Sequence, residues 1–383
     1  MNRHTLRVLE FEKIRHRVRD RCLTAEAAHR LRRARIPTDR AAVTAIHDRV
    51  ELVKRSLGTT TESPVLSFPP LERTLEKVAK EGTVLEAAEL ADVALFAQST
   101  DRFCEYLERS AGEAGTAEEM SAFLGERPDV AAVPQRLFRY VDPDGTVRER
   151  EIPELRAIRG QILRAQQDLQ RTAATMANRD DLRRYLSSTV PTQRDGRTVL
   201  PLKADHRGKV QGIIHETSGS GATIFIEPEE LLARNNAVVE SENRYRSELL
   251  RILRELTAFC RGYHPELAAA LEYVVELDEV SCRARFSHDF ACERASITES
   301  TVLLRSARHP LLGESAVPIT VEIPDGKRVL IVTGPNTGGK TVSLKTVGLL
   351  ALMNQFGLQI PADPGSELPL LGGVFADIGD EQS

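Results

Sequence analysis

The sequence predicts a mixed α and β protein: mainly helical, with a small β insertion between two long helices and a partial α/β P-loop domain at its C-terminal end. Three observations lead to this prediction. Apolar residues recur at helical spacing through the first 130 residues. Short β-forming runs and Gly-rich turns cluster between residues 189 and 227, inside a region that is otherwise helical. After residue 301, short apolar runs precede a glycine-rich motif.

The first 139 residues are predicted to form a helical core. Leu6 and Ile14 belong to a set of apolar residues that share one helical face. Thr83 and Glu86 have the spacing of a capping box, which predicts a helix that starts at Thr83 and runs through Leu107. Prolines and glycines between such segments predict antiparallel helices joined by short loops.

Residues 140–262 are predicted to be two long helices that carry a β unit. An Asp-Gly pair between the β-forming residues of 141–147 predicts a tight hairpin turn. A second Asp-Gly pair and a Ser/Gly-rich stretch separate three further β-forming runs. The predicted elements are helices over 153–186 and 228–262, strands over 197–203, 210–215 and 222–227, and a further helix over 265–294.

A P-loop motif follows the last of three short apolar runs in the C-terminal region. The runs cover 301–304, 319–323 and 328–333, and the last is predicted to be a buried strand because it is rich in β-branched residues. An apolar helix is predicted directly after the motif. The residues that match GxxxxGK[ST] are Gly334, Pro335, Asn336, Thr337, Gly338, Gly339, Lys340 and Thr341.

The spacing of this motif suits the chemistry of phosphate binding. Glycines let the backbone curl so that successive N–H groups point at one phosphate, and the dipole of the following helix attracts negative charge. Lys340 is predicted to lie between the β- and γ-phosphates of ATP, and the Thr341 hydroxyl to ligate Mg²⁺. The sequence therefore predicts a site for ATP and Mg²⁺.

Composition and charge argue against several other classes. The net charge is −4, so a nucleic-acid-binding surface must be local, and the 5% aromatic content argues against a base-stacking RNA-binding sheet. No apolar run reaches 18 residues and no apolar signal segment begins the chain, so we expect a cytoplasmic protein with no membrane partner. The five cysteines form no metal-binding pattern, and we expect reduced, scattered thiols.

A local basic patch coincides with the predicted β unit. Residues 183–215 carry seven Lys or Arg against two Asp. Such cations would contact a nucleic-acid backbone and read little base sequence. A merely solvated basic face remains the alternative interpretation. The candidate nucleic-acid contacts are Arg194, Arg197, Lys203, Arg207 and Lys209.

Several motifs resemble the MutS ATPases, and specifically the type II branch, the Smr-linked paralogues of mismatch-repair MutS. The P-loop has the double glycine before its lysine, and residues 307–312 resemble the Arg-His-Pro entry segment of these ATPases. The segments 357–362 and 375–383 resemble the type II branch in particular, as do 197–203 and 219–228. The resemblance covers nearly all of the chain.

The resemblance implies a domain order and a set of roles. It implies a helical core and lever over 1–139 and 263–296, a long helix pair over 140–262 with a β clamp at about 189–227, and an incomplete ATPase domain over 297–383. ATP and Mg²⁺ are the implied cofactors, and members form homodimers through the ATPase domain. The implied partners are branched DNA, with suppression of recombination, or the rRNA of stalled, collided ribosomes. A C-terminal Smr domain supplies nuclease activity in the family.

Two departures from the family pattern matter. Mismatch-repair members carry a Phe-x-Glu reader in an N-terminal domain, whereas the triplet over 225–227 lies in a predicted clamp strand, and we interpret it as a chance match. The residues after Thr341 contain no evident Walker B strand, signature segment or switch histidine, so we expect a chain truncated within the ATPase domain, with little ATP turnover. The alternative is that residues 373–377 are the Walker B strand and Asp377 its acid.

Two other functions stay open at this stage. The first is a non-enzymatic platform that binds nucleic acid or ribosomes, with or without bound nucleotide, and hydrolyses no nucleotide. The second is an SMC-type ATPase, which also couples a P-loop to long helices. An SMC-type protein places its P-loop ahead of the coiled coil, and the order here is the reverse.

Overall fold

The computed structural model describes residues 3–57, 66, 68–334 and 339–378. The chain divides into two compact units. The first, which we call the core unit, comprises Met1–Ala79, Asp92–Gln135 and Gly262–Ser383, and the second, the inserted unit, comprises Lys80–Ala91 and Arg136–Arg261. No described helix is both long enough and apolar enough to cross a membrane.

Helices make up most of the described residues, and two small sheets complete the structure, so the mixed, mainly helical class is confirmed. The α-helices of the described ranges are α1 (Arg3–Val8), α2 (Phe11–Arg19), α3 (Ala25–Arg33), α4 (Arg40–Leu57), α5 (Glu72–Ala79), α6 (Ala87–Ala114), α7 (Ala117–Leu124), α8 (Ala132–Leu137), α9 (Pro153–Asn178), α10 (Asp180–Arg183), α11 (Glu229–Gly262), α12 (His264–Asp289) and α13 (Lys340–Gln355).

The helix predicted from Thr83 begins later, at Ala87. A capping box would need the Glu86 side chain to accept from the Thr83 N–H, but that N–H donates to the backbone of Lys80 at 3.4 Å. The Glu86 N–H instead donates to the Glu89 carboxylate at 3.0 Å, and this contact defines the start of α6. The capping-box prediction was therefore right about the helix and wrong about its first residue.

The two long helices of the inserted unit lie close to their predicted positions. Helix α11 differs from the prediction by one residue at its start, whereas α9 ends at Asn178 instead of residue 186. Arg179 adopts an extended backbone with ψ 135°, which interrupts the helix, and α10 follows as a separate turn.

The sheet of the inserted unit is antiparallel and has the order β1-β2-β4-β3. Its strands are β1 (Thr192–Arg194), β2 (Arg197–Lys203), β3 (Gly212–Thr217) and β4 (Thr223–Pro228). Asp195 and Gly196 both have positive φ, 50° and 75°, as a tight hairpin turn between β1 and β2 requires. Apolar residues of β2 and β4, such as Leu200 and Ile226, pack with Leu169 of α9 in one buried cluster.

The sheet of the core unit has the order β5-β8-β6-β7. Its strands are β5 (Ser296–Thr298), β6 (Val302–Ala307), β7 (Ile319–Ile323) and β8 (Glu367–Pro369). Strands β6 and β7 match two predicted runs, while the short β5 and β8 carry no sequence pattern that would predict them. Only the β5–β8 pair is parallel.

The predicted buried strand over 328–333 is wrong for the structure. This segment has no regular secondary structure, and its apolar side chains face outward, with Val329 77% and Ile331 79% exposed. A strand needs a hydrogen-bonded neighbour, and no described strand pairs with these residues. The β-branched composition alone was therefore not sufficient to form a strand.

The main hydrophobic core of the core unit surrounds α13. Phe11 of α2, Phe286 of α12 and Leu352 of α13 are fully buried in one cluster. The rings of Phe11 and Phe356 meet edge to face at a centroid distance of 5.4 Å. This packing positions the helix that carries the end of the P-loop motif.

Candidate nucleotide loop and nucleic-acid interface

The structure describes the two ends of the P-loop motif. Its middle residues, Pro335, Asn336, Thr337 and Gly338, lie outside the described residues. Gly334 and Gly339 have positive φ values, 149° and 78°, a conformation that favours glycine. Lys340 begins α13, and its ammonium group donates a hydrogen bond to the carbonyl oxygen of Gly334. This bond joins the two described ends of the loop.

The start of α13 fits an anionic ligand accompanied by Mg²⁺. A helix start presents N–H groups that have no partner within the helix, and the first turn of α13 contains no Asp or Glu. The Thr341 side chain is exposed at this point. Among the described residues that do not adjoin it in the chain, a Cβ atom placed on Gly334 or Gly339 would meet no atom within 4 Å.

The opposite end of α13 is held by polar contacts in the core unit. The Gln355 side-chain amide donates to the carbonyl oxygens of Pro37 and Leu371, each at 2.9 Å. His47 Nε2 lies 2.8 Å from the carbonyl oxygen of Asn354 and donates to it. Burial lowers the pKa of His47, so this imidazole is neutral at pH 7. The helix that carries Lys340 is therefore anchored at its C-terminal end.

The alternative Walker B strand finds no support in the described residues. Residues 373–378 have no regular secondary structure, and Asp377 is exposed. Across the described ranges, no cluster of three or more His, Cys, Asp or Glu side chains is arranged to hold a metal ion.

Three of the five candidate nucleic-acid contacts are exposed cations. Lys203 ends β2, and Arg207 and Lys209 lie in the segment that leads to β3. The Lys203 ammonium donates to the backbone carbonyl of Arg184 at 3.2 Å. The Arg207 and Lys209 side chains form no ion pair or hydrogen bond with any residue in the described part of the chain.

The other two candidates, Arg194 and Arg197, are paired within the inserted unit. Arg194 forms an ion pair with Glu216, and its guanidinium lies 4.1 Å from the centroid of the Phe225 ring. Arg197 donates to Glu227 Oε1 at 2.8 Å and to the Asn236 side chain at 2.9 Å. Contact between either arginine and a phosphate would compete with these pairs.

A buried polar network around Glu227 was not predicted from the sequence. Its Oε2 is 2.7 Å from His215 Nε2, and its Oε1 accepts from Asn235 at 2.9 Å as well as from Arg197. The Asn235 amide also exchanges two hydrogen bonds with the backbone of Thr198. The network links β2, β3, β4 and α11. One available signal was a lone carboxylate at the end of the apolar run of β4, because a buried carboxylate requires partners.

All five cysteines are free thiols. The expectation that they are scattered fails for one pair, because the fold brings Cys22 next to Cys282. The hydrogen bond to Cys282, together with burial, raises the pKa of the Cys22 thiol. A raised pKa keeps the Cys22 thiol protonated at neutral pH.

The whole chain is similar to proteins named Endonuclease MutS2. It is 33% identical over 388 residues to the protein of Gemmatimonas aurantiaca, covering 100% of this chain and 47% of that protein. It is 37% identical over 394 residues to the protein of Thermomicrobium roseum, covering 99% of this chain and 49% of that protein. The protein of Geobacillus thermodenitrificans is 33% identical over 393 residues, with 100% and 49% covered.

The chain spans about half the length of these curated relatives. No protein-family model matches it.

Proposed function

Since the chain belongs to the MutS2 family, over the half of those proteins that it matches, we propose that it binds ATP through the core unit and nucleic acid through the inserted unit. The P-loop motif at the start of α13 is the observation that most directly supports this proposal.

Lys340, Thr341 and the first backbone N–H groups of α13 have separate roles in the proposed ATP site. The Lys340 ammonium, which now donates to the Gly334 carbonyl, would turn to the β- and γ-phosphates, because a hydrogen bond between two charged groups is stronger than one to a neutral carbonyl. The first N–H groups of α13 would bind phosphate oxygens. The Thr341 hydroxyl would ligate Mg²⁺, which neutralises phosphate charge.

Titration with a fluorescent ATP analogue tests the proposed ATP site. Lys340→Ala should weaken binding roughly ten- to a hundredfold, because a charged hydrogen bond contributes about 1.5–3 kcal/mol. Lys345→Ala, on the same helix, is the matched control and should bind like the unaltered chain. Equal affinity in the two variants would remove the P-loop assignment.

The inserted unit is proposed to hold the phosphate backbone without reading base sequence. Arg207 and Lys209 are the strongest candidates because neither is neutralised by a described carboxylate, and the exposed Lys203 precedes them in the chain. Arg194 and Arg197 support the sheet through Glu216 and Glu227. Phosphate contacts of this kind position a nucleic acid and depend strongly on salt.

A double substitution tests this surface. Arg207→Gln with Lys209→Gln should flatten the slope of log K against log salt by about 1.8, since each lost phosphate contact contributes about 0.9. Arg234→Gln with Arg251→Gln is the control, because it removes the same charge from exposed arginines that are already ion-paired. Identical salt slopes for the two double variants would indicate that Arg207 and Lys209 belong to a solvated basic face that does not contact nucleic acid.

The finer roles suggested by the resemblance are also proposals. Backbone contacts do not distinguish branched DNA, as in recombination suppression, from the rRNA of collided ribosomes. Competition experiments, in which branched DNA, linear duplex or ribosomes displace a labelled nucleic acid from the protein, would rank these partners.

Dimerisation through the ATPase region is tested by sedimentation with and without ATP. We place the nuclease activity in the half of the relatives that this chain does not match.

A binding platform without turnover is the second candidate function. Two observations favour it: residues 328–333 lie outside any strand, and Asp377 is exposed. Phosphate release, measured with nucleic acid present, separates platform from ATPase. We expect little release, because hydrolysis needs a carboxylate to hold the metal and another to orient water. Release that is abolished by Asp377→Asn would establish the Walker B alternative.

A further inference from the structure

A second concentration of positive charge lies in the core unit. Residues 1–35 carry eleven Lys or Arg against four Asp or Glu, a larger excess than in the patch of the inserted unit. Several of these side chains lie on α2 or around the end of α3. The members that we call the arginine cluster are Arg15, Arg19, Arg32, Arg33 and Arg35.

Direct contacts bring the cluster together. Arg15 Nη1 donates to the carbonyl oxygen of Arg32 at 3.0 Å, which joins α2 to the last turn of α3. Arg19 follows Arg15 by four residues and so lies on the same face of α2. The Nε atoms of Arg15 and Arg19 are buried and have no hydrogen-bond partner among the described residues. A buried charged donor without an acceptor is unfavourable, so the positive charge of this face is only partly compensated within the described residues.

Neighbouring arginines are paired with carboxylates, whereas most members of the arginine cluster are not. Arg21 pairs with Asp289, and Arg30 pairs with both Glu272 and Glu279. Within the described ranges, the cluster has one paired carboxylate, Glu12, which is 58% exposed and 3.5 Å from Arg15. Arg32, Arg33 and Arg35 are exposed, and in this part of the structure they form no ion pair.

We infer that the arginine cluster binds the phosphate backbone of a nucleic acid, as a second contact surface separate from Arg207 and Lys209. The inference rests on the proposed function in one respect: it takes nucleic acid as the ligand. Guanidinium groups match phosphate oxygens in paired hydrogen bonds and are weakly hydrated, which suits this contact. The competing explanation is that arginines in the last turn of α3 only complement the helix dipole.

A triple substitution in the whole chain separates these explanations. Arg32→Gln, Arg33→Gln and Arg35→Gln should weaken binding of a short DNA or RNA duplex roughly ten- to a hundredfold at low salt and flatten the salt slope by about 2–3. Arg55→Gln, Arg73→Gln and Arg102→Gln form the control, since they remove the same charge from exposed arginines of the same unit. The control should keep both affinity and slope.

A second measurement does not depend on the variants. A bound duplex should protect Arg32, Arg33 and Arg35 of the unaltered chain from an arginine-selective dicarbonyl reagent, as read by mass spectrometry of the peptides. Reaction at the control arginines should not change.

The outcomes distinguish this inference from the proposed function. If the triple variant binds like its control and loses only thermal stability, the dipole explanation is right and the second surface is overturned. If Arg207→Gln with Lys209→Gln weakens binding while the triple variant does not, the proposed function stands and this inference falls. If neither changes binding, both fail. Equal displacement by millimolar inorganic phosphate and by duplex would reduce the cluster to a simple anion site and also overturn it.

Discussion

Residues 197–203 and 328–333 are both short runs that contain apolar and β-branched residues, yet only the first is a strand. Leu200 of β2 is 1% exposed, and its strand has β1 on one side and β4 on the other. Ile331 is 79% exposed, and no described strand lies beside it. β propensity measures how well a side chain fits a covered, pleated surface. The presence of a neighbouring strand therefore decides whether such a run becomes a strand.

The largest effect is expected when the polar network around Glu227 is removed from the sheet of the inserted unit. Glu227→Ala leaves Arg197, His215 and Asn235 without their shared acceptor. Breaking a buried ion pair in this way should lower the free energy of unfolding by about 3–5 kcal/mol. Urea unfolding followed by circular dichroism measures the change.

The control for this prediction is Glu216→Ala, which removes the exposed partner of Arg194. An exposed pair of this kind should contribute less than about 1 kcal/mol. Equal losses in the two variants would contradict the idea that burial of Glu227 makes its network important.

Replacing Leu200 or Ile331 by alanine should change the free energy of unfolding by very different amounts. Leu200→Ala should cost about 2–5 kcal/mol, because it opens a cavity in a packed sheet face. Ile331→Ala should change the free energy of unfolding by less than about 0.5 kcal/mol, because its side chain is already in solvent. Thermal and urea unfolding of both variants give the two values. A large loss at Ile331 would mean that residues 328–333 are covered in solution.

Strands β3 and β4 approach each other closely at Gly212. A Cβ atom on Gly212 of β3 would lie 2.1 Å from the carbonyl oxygen of Glu227, so Gly212→Ala should force β3 and β4 apart at about 1–3 kcal/mol. Gly219→Ala is the control in the turn before β4, where an added Cβ meets nothing within 4 Å. Similar stabilities for the two variants would show that β3 is not held as closely as its contacts indicate.

The smallest expected effect concerns His47, which donates a hydrogen bond to the C-terminal end of α13. Burial lowers the pKa of His47, so the unfolded chain binds a proton more readily than the folded one. Stability from this residue is present above the unfolded pKa, about 6.5, and is lost as pH falls below it, by at most about 1.4 kcal/mol per pH unit.

The variant His47→Gln tests this sign, because glutamine can donate to the Asn354 carbonyl and does not titrate. Burial lowers the pKa of His309 as well, so some pH dependence of the same sign should remain in the variant. Unfolding free energies measured between pH 5 and pH 8 should fall less steeply toward acid in the variant. An unchanged profile would mean that His47 does not contribute to the linkage.

Much of the fold was predictable wherever a pattern is local. Helical periodicity located α11 to within one residue, and the Asp-Gly pair located the turn between β1 and β2. The start of α6 was predicted too early because the carboxylate that accepts at the start of the helix is Glu89 and not Glu86. That choice depends on side-chain geometry. Strands β5 and β8 were missed because each has only three residues and is defined by its partner strand.

The candidate site was predictable in part for the same reason. The P-loop motif is contiguous, so residue types and spacing are sufficient to identify it, and its assignment to ATP stays a prediction. The basic patch over 183–215 was also visible as a count of charges. The sequence did not indicate which of these cations are unpaired. Arg194 pairs with Glu216 and Arg197 with Glu227, and both carboxylates lie on other strands.

The sequence by itself determined the order of helices and β runs, the position of the phosphate-binding motif and the resemblance to the MutS type II family. The tertiary structure decided which apolar run became a strand and which arginines stayed unpaired. It also decided which side chains form hydrogen bonds with the buried carboxylate of Glu227. The physical reason is the range of the interactions. Periodicity, turns and caps act within a few residues of one another, whereas a sheet neighbour, an ion pair or a buried hydrogen bond joins residues that only the fold brings together.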